Sequence, residues 1–127
     1  MNTNSKIKSF TDLMTWQKSH LLVLEIYKIT KQFPKDERYG LTDQIRRCAV
    51  SISSNIAEGF SRRGNKEKLQ FYFMAKGSTT ELQNQLLIAR DVGYIDKMVF
   101  SKVADLSIEV NKLLNSLVKS LKNDAKY

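Results

Sequence analysis

An all-α fold, an antiparallel up-down-up-down four-helix bundle, is what this sequence predicts, and three observations predict it. Apolar residues recur at every third and fourth position through four long segments. Breaks carrying Pro34, Gly64 and Gly93 separate those segments. No stretch sustains a period of two between hairpin turns, so strands are not expected. The 127 residues make one domain, enough chain to bury about two-thirds of its unfolded surface. Short connections between helices of this length leave neighbours antiparallel.

The first helix is expected from Thr11 to Gln32, with the side-chain oxygen of Thr11 or Asp12 capping its free N–H groups. Its apolar stripe reads Leu13, Trp16, His20, Val23, Leu24 and Tyr27. Pro34 stops it, because proline lacks the N–H that continues the ladder and biases Phe33 away from helical angles. A loop of Pro34, Lys35, Asp36 and Glu37 leads into the second helix, Thr42 to Arg62. Gly64 and Asn65, both tolerant of positive φ, make the next turn. The third helix spans Lys66 to Asp91 with an apolar line of Leu69, Tyr72, Phe73, Ala75, Leu82, Leu86 and Ala89, and Gly93 ends it as the residue beyond the cap. Asp96 caps the fourth helix, Asp96 to Lys122, whose near-heptad stripe suits coiled-coil-like packing. From Asn123 to Tyr127 the chain is expected to fray.

The second helix is the unusual one. Its core stripe is Ile45, Cys48, Ala49, Ile52, Ile56 and Phe60, but beside it runs a line of Gln44, Arg47, Ser51, Asn55, Glu58 and Arg62. Ser51, Ser53, Ser54, Ala57 and Gly59 are small enough to let another helix approach, and Gly59 costs roughly 1 kcal/mol against alanine inside a helix. The third helix repeats the pattern with Gly77, Ser78, Thr79 and Thr80 in mid-helix, which suggests tight packing there too. Ser78, Glu81 and Gln85 form a polar line able to bond to Ser51, Asn55 or Arg47 across helices or across subunits. Ser51, Asn55, Glu58, Gly59, Gly77, Ser78 and Glu81 are therefore the candidate oligomer interface.

Twenty-one Lys and Arg against thirteen Asp and Glu give a net charge of +8 and a pI near 9.6, a balance that favours polyanionic partners. Half of that surplus falls between Arg38 and Lys68, where seven basic residues face three acidic ones. Arg46, Arg47, Arg62, Arg63, Lys66 and Lys68 are the candidate phosphate contacts. The neighbouring Phe60, Phe71 and Tyr72 read as core, not as platforms for bases.

Enzyme chemistry finds no support. His20 is the single histidine and has Gln17, not a carboxylate, three residues before it, so the Glu-x-x-His pairs of a di-iron bundle are missing. Cys48 and His20 lack a third group to make a nucleophile and base. There is no phosphate-cradling GxxxxGK[ST] or GxGxxG motif. No metal, no cofactor and no enzymatic activity are expected. The lone Cys48 sits on the apolar stripe, where a thiol acts as a small hydrophobe. The longest apolar run, Leu21 to Leu24, is far short of the roughly 18 residues that span a bilayer, and MNTNSKIKS lacks the hydrophobic segment of a secretory signal. A cytoplasmic protein with no membrane partner is expected.

Four blocks, in order, carry a resemblance: Phe10-x-x-Leu13-x-x-Trp16-Gln17-Lys18; Phe33-Pro34-x-x-Glu37-x-Tyr39-Gly40-Leu41-Thr42-x-Gln44-x-Arg46-Arg47; Ser51-Ile52-x-Ser54-Asn55-Ile56-Ala57-Glu58-Gly59; and Gly77-Ser78-x-x-Glu81-Leu82. They resemble the bacterial four-helix-bundle proteins encoded in intervening sequences of 23S ribosomal RNA genes, over Phe10 to Ile95. The resemblance implies a non-enzymatic bundle assembling into a ring, a homopentamer, with a related branch serving diversity-generating retroelement reverse transcriptases as accessory protein. It also implies RNA binding, in agreement with the charge. The competing expectation is a protein-interaction module that grips a partner such as a polymerase through Ser51, Asn55 and Glu58, its positive charge incidental.

Overall fold

The computed structural model describes residues 7–124. Among them lie four helices, α1 (Met14–Thr30), α2 (Leu41–Ser61), α3 (Asn65–Asp91) and α4 (Lys97–Asn123), with short 3-10 turns at Phe10–Asp12 and Lys35–Glu37. The fold is all-α, a four-helix bundle. Each helix packs on its neighbour in the chain, and α4 closes the bundle against α1. Cross-helix pairs run in opposite numerical order: Gly59 with Tyr72 and Ser51 with Ser78, Gln83 with Ser107 and Arg90 with Phe100, Lys18 with Glu109 and Glu25 with Lys102. One end of the bundle carries the α1–α2 and α3–α4 connections, the other the α2–α3 connection and the end of α4.

The core is aliphatic. Leu22, Ile26, Ile45, Ile52, Ile56, Leu82, Leu86, Val103, Val110 and Leu114 are fully buried, each such side chain contributing about 1.5–3 kcal/mol of transfer free energy. In α4 the buried positions Val103, Ser107, Val110, Leu114 and Val118 follow at steps of four, three, four and four residues, close to the seam of a coiled coil.

Both expected signals around the α3–α4 turn form. Gly93 has φ +87°, and the N–H groups of Gly93 and Tyr94 return to the carbonyls of Arg90 and Ala89, the two bonds of a Schellman turn. Asp96 Oδ1 accepts from the Val99 N–H at 2.8 Å. The turn between α2 and α3 is built differently from expectation: Gly64 and Asn65 need no positive φ, because Arg62 and Gly64 are both extended.

The face of α1 is rotated from the expected stripe. Thr15, Ser19, Leu22, Ile26 and Thr30 are buried, whereas Leu24, Tyr27 and His20 are exposed. Hydroxyls can be interior here because each bonds its own helix: Ser19 Oγ donates to Trp16 O at 2.7 Å, Thr30 Oγ1 to Ile26 O at 2.6 Å. Nor does Thr11 or Asp12 cap α1. Ser9 caps the preceding 3-10 turn, whose Asp12 carboxylate accepts the N–H groups of Lys8 and Ser9 in a capping box. In α3, Phe73 leaves the expected core line for the surface, where Lys76 and Lys122 approach its ring at 5.9 and 5.2 Å. α4 remains helical through Asn123; the fraying expected at 125–127 lies outside the described residues.

Candidate nucleic-acid interface

The six basic residues singled out by sequence fall into two clusters, not one patch. Arg46 and Arg47 lie in the first half of α2, while Arg62, Arg63, Lys66 and Lys68 surround its far end. The fifteen-residue rise from Arg47 to Arg62 separates them by roughly 22 Å.

At the far end, two of the four cations serve the fold. Lys68 Nζ donates to Phe60 O at 2.6 Å and reaches Gly59 O at 3.4 Å, closing carbonyls that the end of α2 leaves free. Partial burial there lowers its pKa. The Arg62 guanidinium covers the Phe71 ring at 4.6 Å while Nη2 donates to Glu58 Oε2 at 2.9 Å. Arg63 and Lys66 are exposed and, among the described residues, form no ion pair. Folding adds Lys76 and Lys122, gathered around Phe73. Neither stood out in sequence, since Lys122 comes from the last turn of α4 and only the closed bundle brings it near α3.

In the other cluster, Arg47 is largely exposed and its Nε donates to Asp43 Oδ2 at 2.9 Å. Arg46 is half-buried: its Nε donates to Thr30 Oγ1 at 2.8 Å and its guanidinium lies 4.8 Å from the Tyr27 ring centroid. It has no carboxylate partner among the described residues.

The candidate oligomer-interface residues converge on the α2–α3 seam, where their bonds are made within the chain. Ser51 Oγ and Ser78 Oγ share a hydrogen bond of 3.0 Å. Asn55 Nδ2 donates to Ser51 O and Oγ at 2.8 and 3.1 Å. Glu81 accepts from Gln85 Nε2 at 3.2 Å, and Glu58 holds Arg62. Gly59 is buried by its own chain: a Cβ there would meet Tyr72 Cε1 at 2.7 Å and Phe71 Cβ at 3.0 Å, so its smallness admits α3. Gly77 is exposed with nothing within 4 Å of such a Cβ, so tight packing within the chain does not explain it. Cys48 Sγ donates to Ser78 O at 3.0 Å in the same seam, and burial, helped by the Glu81 charge, pushes its pKa up to about 12. Such a thiol is inert.

The family model for the 23S rRNA-intervening sequence protein matches residues 11–116. The chain belongs to that family. Its bundle is similar to the crystal structure of a protein of unknown function from the S23 ribosomal protein family of Bacteroides thetaiotaomicron VPI-5482, with a TM-score of 0.77, 24% identity, and coverage of 83% of this chain and 95% of that one. At that identity the likeness speaks for the shared fold. No curated protein matches this family member. Among its described residues, no helix is long and apolar enough to cross a membrane.

Proposed function

We propose that this intervening-sequence protein is a non-enzymatic, cytoplasmic, oligomeric bundle, a homopentamer, that binds structured RNA through its basic surface. One observation carries the reading: a chain of net charge +8 leaves Arg63 and Lys66 exposed at the α2–α3 end without a carboxylate pairing them among the described residues. Unpaired cations on a rigid helix junction contact phosphates without reading sequence. The A-form backbone of folded RNA is the natural partner of such a surface.

The test is fluorescence anisotropy of a labelled, structured fragment of large-subunit ribosomal RNA at two salt concentrations, beside an unrelated RNA and duplex DNA. Salt-sensitive binding that favours the ribosomal fragment is expected. Arg63→Glu with Lys66→Glu should weaken it and reduce the salt slope by about one per cation that touched a phosphate. Helicity should not change, because neither side chain supports the fold. Absence of binding at low salt sinks the RNA reading. It would favour a protein-interaction module instead, for which Leu21, Leu24 and Tyr27 offer an exposed apolar line on α1.

A further inference from the structure

The end of the bundle opposite Arg63 and Lys66 holds a second basic feature, a cleft of about 490 Å³ between the end of α1, the α1–α2 connection and the start of α2. Lys31, Lys35, Arg38 and Arg46 line it, with Thr30, Thr42, Phe33 and Pro34 supplying hydroxyls and an apolar floor. No carboxylate lines it. Of the three nearest in sequence, two are bonded elsewhere. Glu37 accepts the Tyr94 O–H at 2.6 Å and the Leu41 N–H at 3.1 Å, Asp43 holds Arg47, and Asp36 is exposed outside the lining.

Arg46 is the organised member of the set. Thr30 Oγ1 donates to Ile26 O while accepting from Arg46 Nε, and the Tyr27 ring supports the guanidinium plane. Its two terminal amino groups make no hydrogen bond among the described residues and stay open to solvent, free to take a ligand. Thr42, in the first turn of the 21-residue α2, brings the positive end of that helix dipole to the same wall. Tyr39 is 87% exposed, its ring 5.8 Å from the guanidinium of Arg38, one of the lining cations.

Resting on the RNA reading, we propose that this cleft takes the backbone phosphate of an unpaired nucleotide in an RNA strand, with the base stacked on Tyr39. Its volume lies within the range of pockets that enclose nucleotide-sized ligands. Four cations without a carboxylate match a phosphodiester, and a guanidinium such as that of Arg46 can fork onto two of its oxygens. An exposed tyrosine stacks any unpaired base but none that is held inside a duplex.

The experiment compares a labelled RNA hairpin carrying a single-stranded loop with a blunt duplex of the same stem. It uses wild type, Tyr39→Ala, Lys35→Gln with Arg38→Gln, and Arg63→Glu with Lys66→Glu. Tyr39→Ala should weaken the looped RNA at least about fivefold and leave the duplex unchanged, the signature of a lost stack. Lys35→Gln with Arg38→Gln should weaken the looped RNA and lower its salt slope. If both cleft variants bind the looped RNA like wild type while Arg63→Glu with Lys66→Glu does not, the cleft assignment is overturned and the RNA reading stands. Loss of all RNA binding by wild type removes both. Inorganic phosphate or a nucleoside monophosphate that shifts the Tyr39 NMR signals at concentrations as low as the looped RNA would make the site one for small anions and overturn the assignment to RNA.

Discussion

Gly59 and Gly77 sit in adjacent helices and ask opposite things of a methyl group. At Gly59 a Cβ would stand 2.7 Å from the buried Tyr72 ring, and neither α2 nor α3 can yield without separating the seam. Gly59→Ala should therefore destabilise the protein by about 1–3 kcal/mol, the range for overpacking. At Gly77 a Cβ meets nothing, so Gly77→Ala should gain roughly 1 kcal/mol from helix propensity alone. Urea unfolding at one protein concentration separates the two. Equal shifts of the same sign would show that the close approach at Gly59 is not what holds that glycine. Arg62 and Lys68 deliver a related lesson. Both were candidate phosphate ligands by charge, yet one covers Phe71 and the other closes the carbonyls ending α2.

Between elements, Tyr94 from the α3–α4 turn ties the two connections at one end of the bundle: its hydroxyl bonds the Glu37 carboxylate and its ring packs 5.3 Å from that of Phe33, both in the α1–α2 connection. That bond, then the Leu41 N–H, holds the Glu37 pKa below its ordinary value. A carboxyl whose folded pKa is depressed stabilises the fold above its unfolded pKa and loses that contribution as pH falls through the folded one. Glu37→Gln keeps an oxygen acceptor but weakens a charge-assisted bond. Its melting temperature should lie below wild type at pH 7, and the gap should close in acid below the glutamate range. A gap independent of pH would mean the carboxylate charge contributes nothing. What was legible in the sequence follows the range of the forces at work. Gly93, Asp96, the α2 stripe from Ile45 to Ile56 and the α4 stripe act within one turn or one helix face, and they stand where periodicity and capping chemistry put them, while Phe60, expected to continue the α2 stripe, is only partly buried. The α1 face was not legible, because Thr15, Ser19 and Thr30 look solvent-facing until their hydroxyls bond their own helix. The two clusters of cations were legible only as charge. Lys31 and Lys35 meet Arg46, and Lys122 meets Phe73, only after α1 turns back on α2 and α4 closes the bundle.

For the whole molecule, the proposed assembly would use the outer α2–α3 face, where Gly77 is exposed with open space beside it, and would have to overcome the mutual repulsion of chains of net charge +8. Multi-angle light scattering should return a mass of five protomers of 14.6 kDa, and Gly77→Leu should reduce it while circular dichroism stays helical. A wild-type monomer ends the ring proposal. Five copies would present five sets of Arg63 and Lys66, and an RNA touching several subunits would bind more tightly than any one site allows. The Cys48 thiol, hidden in the α2–α3 seam with its proton held by Ser78 O, has a use in this setting. An electrophile can reach it only when the two helices part, so the rate at which the native protein is alkylated is a clock for that parting. A cysteine engineered on the surface would then be the fast-reacting label, with no need to remove the natural one.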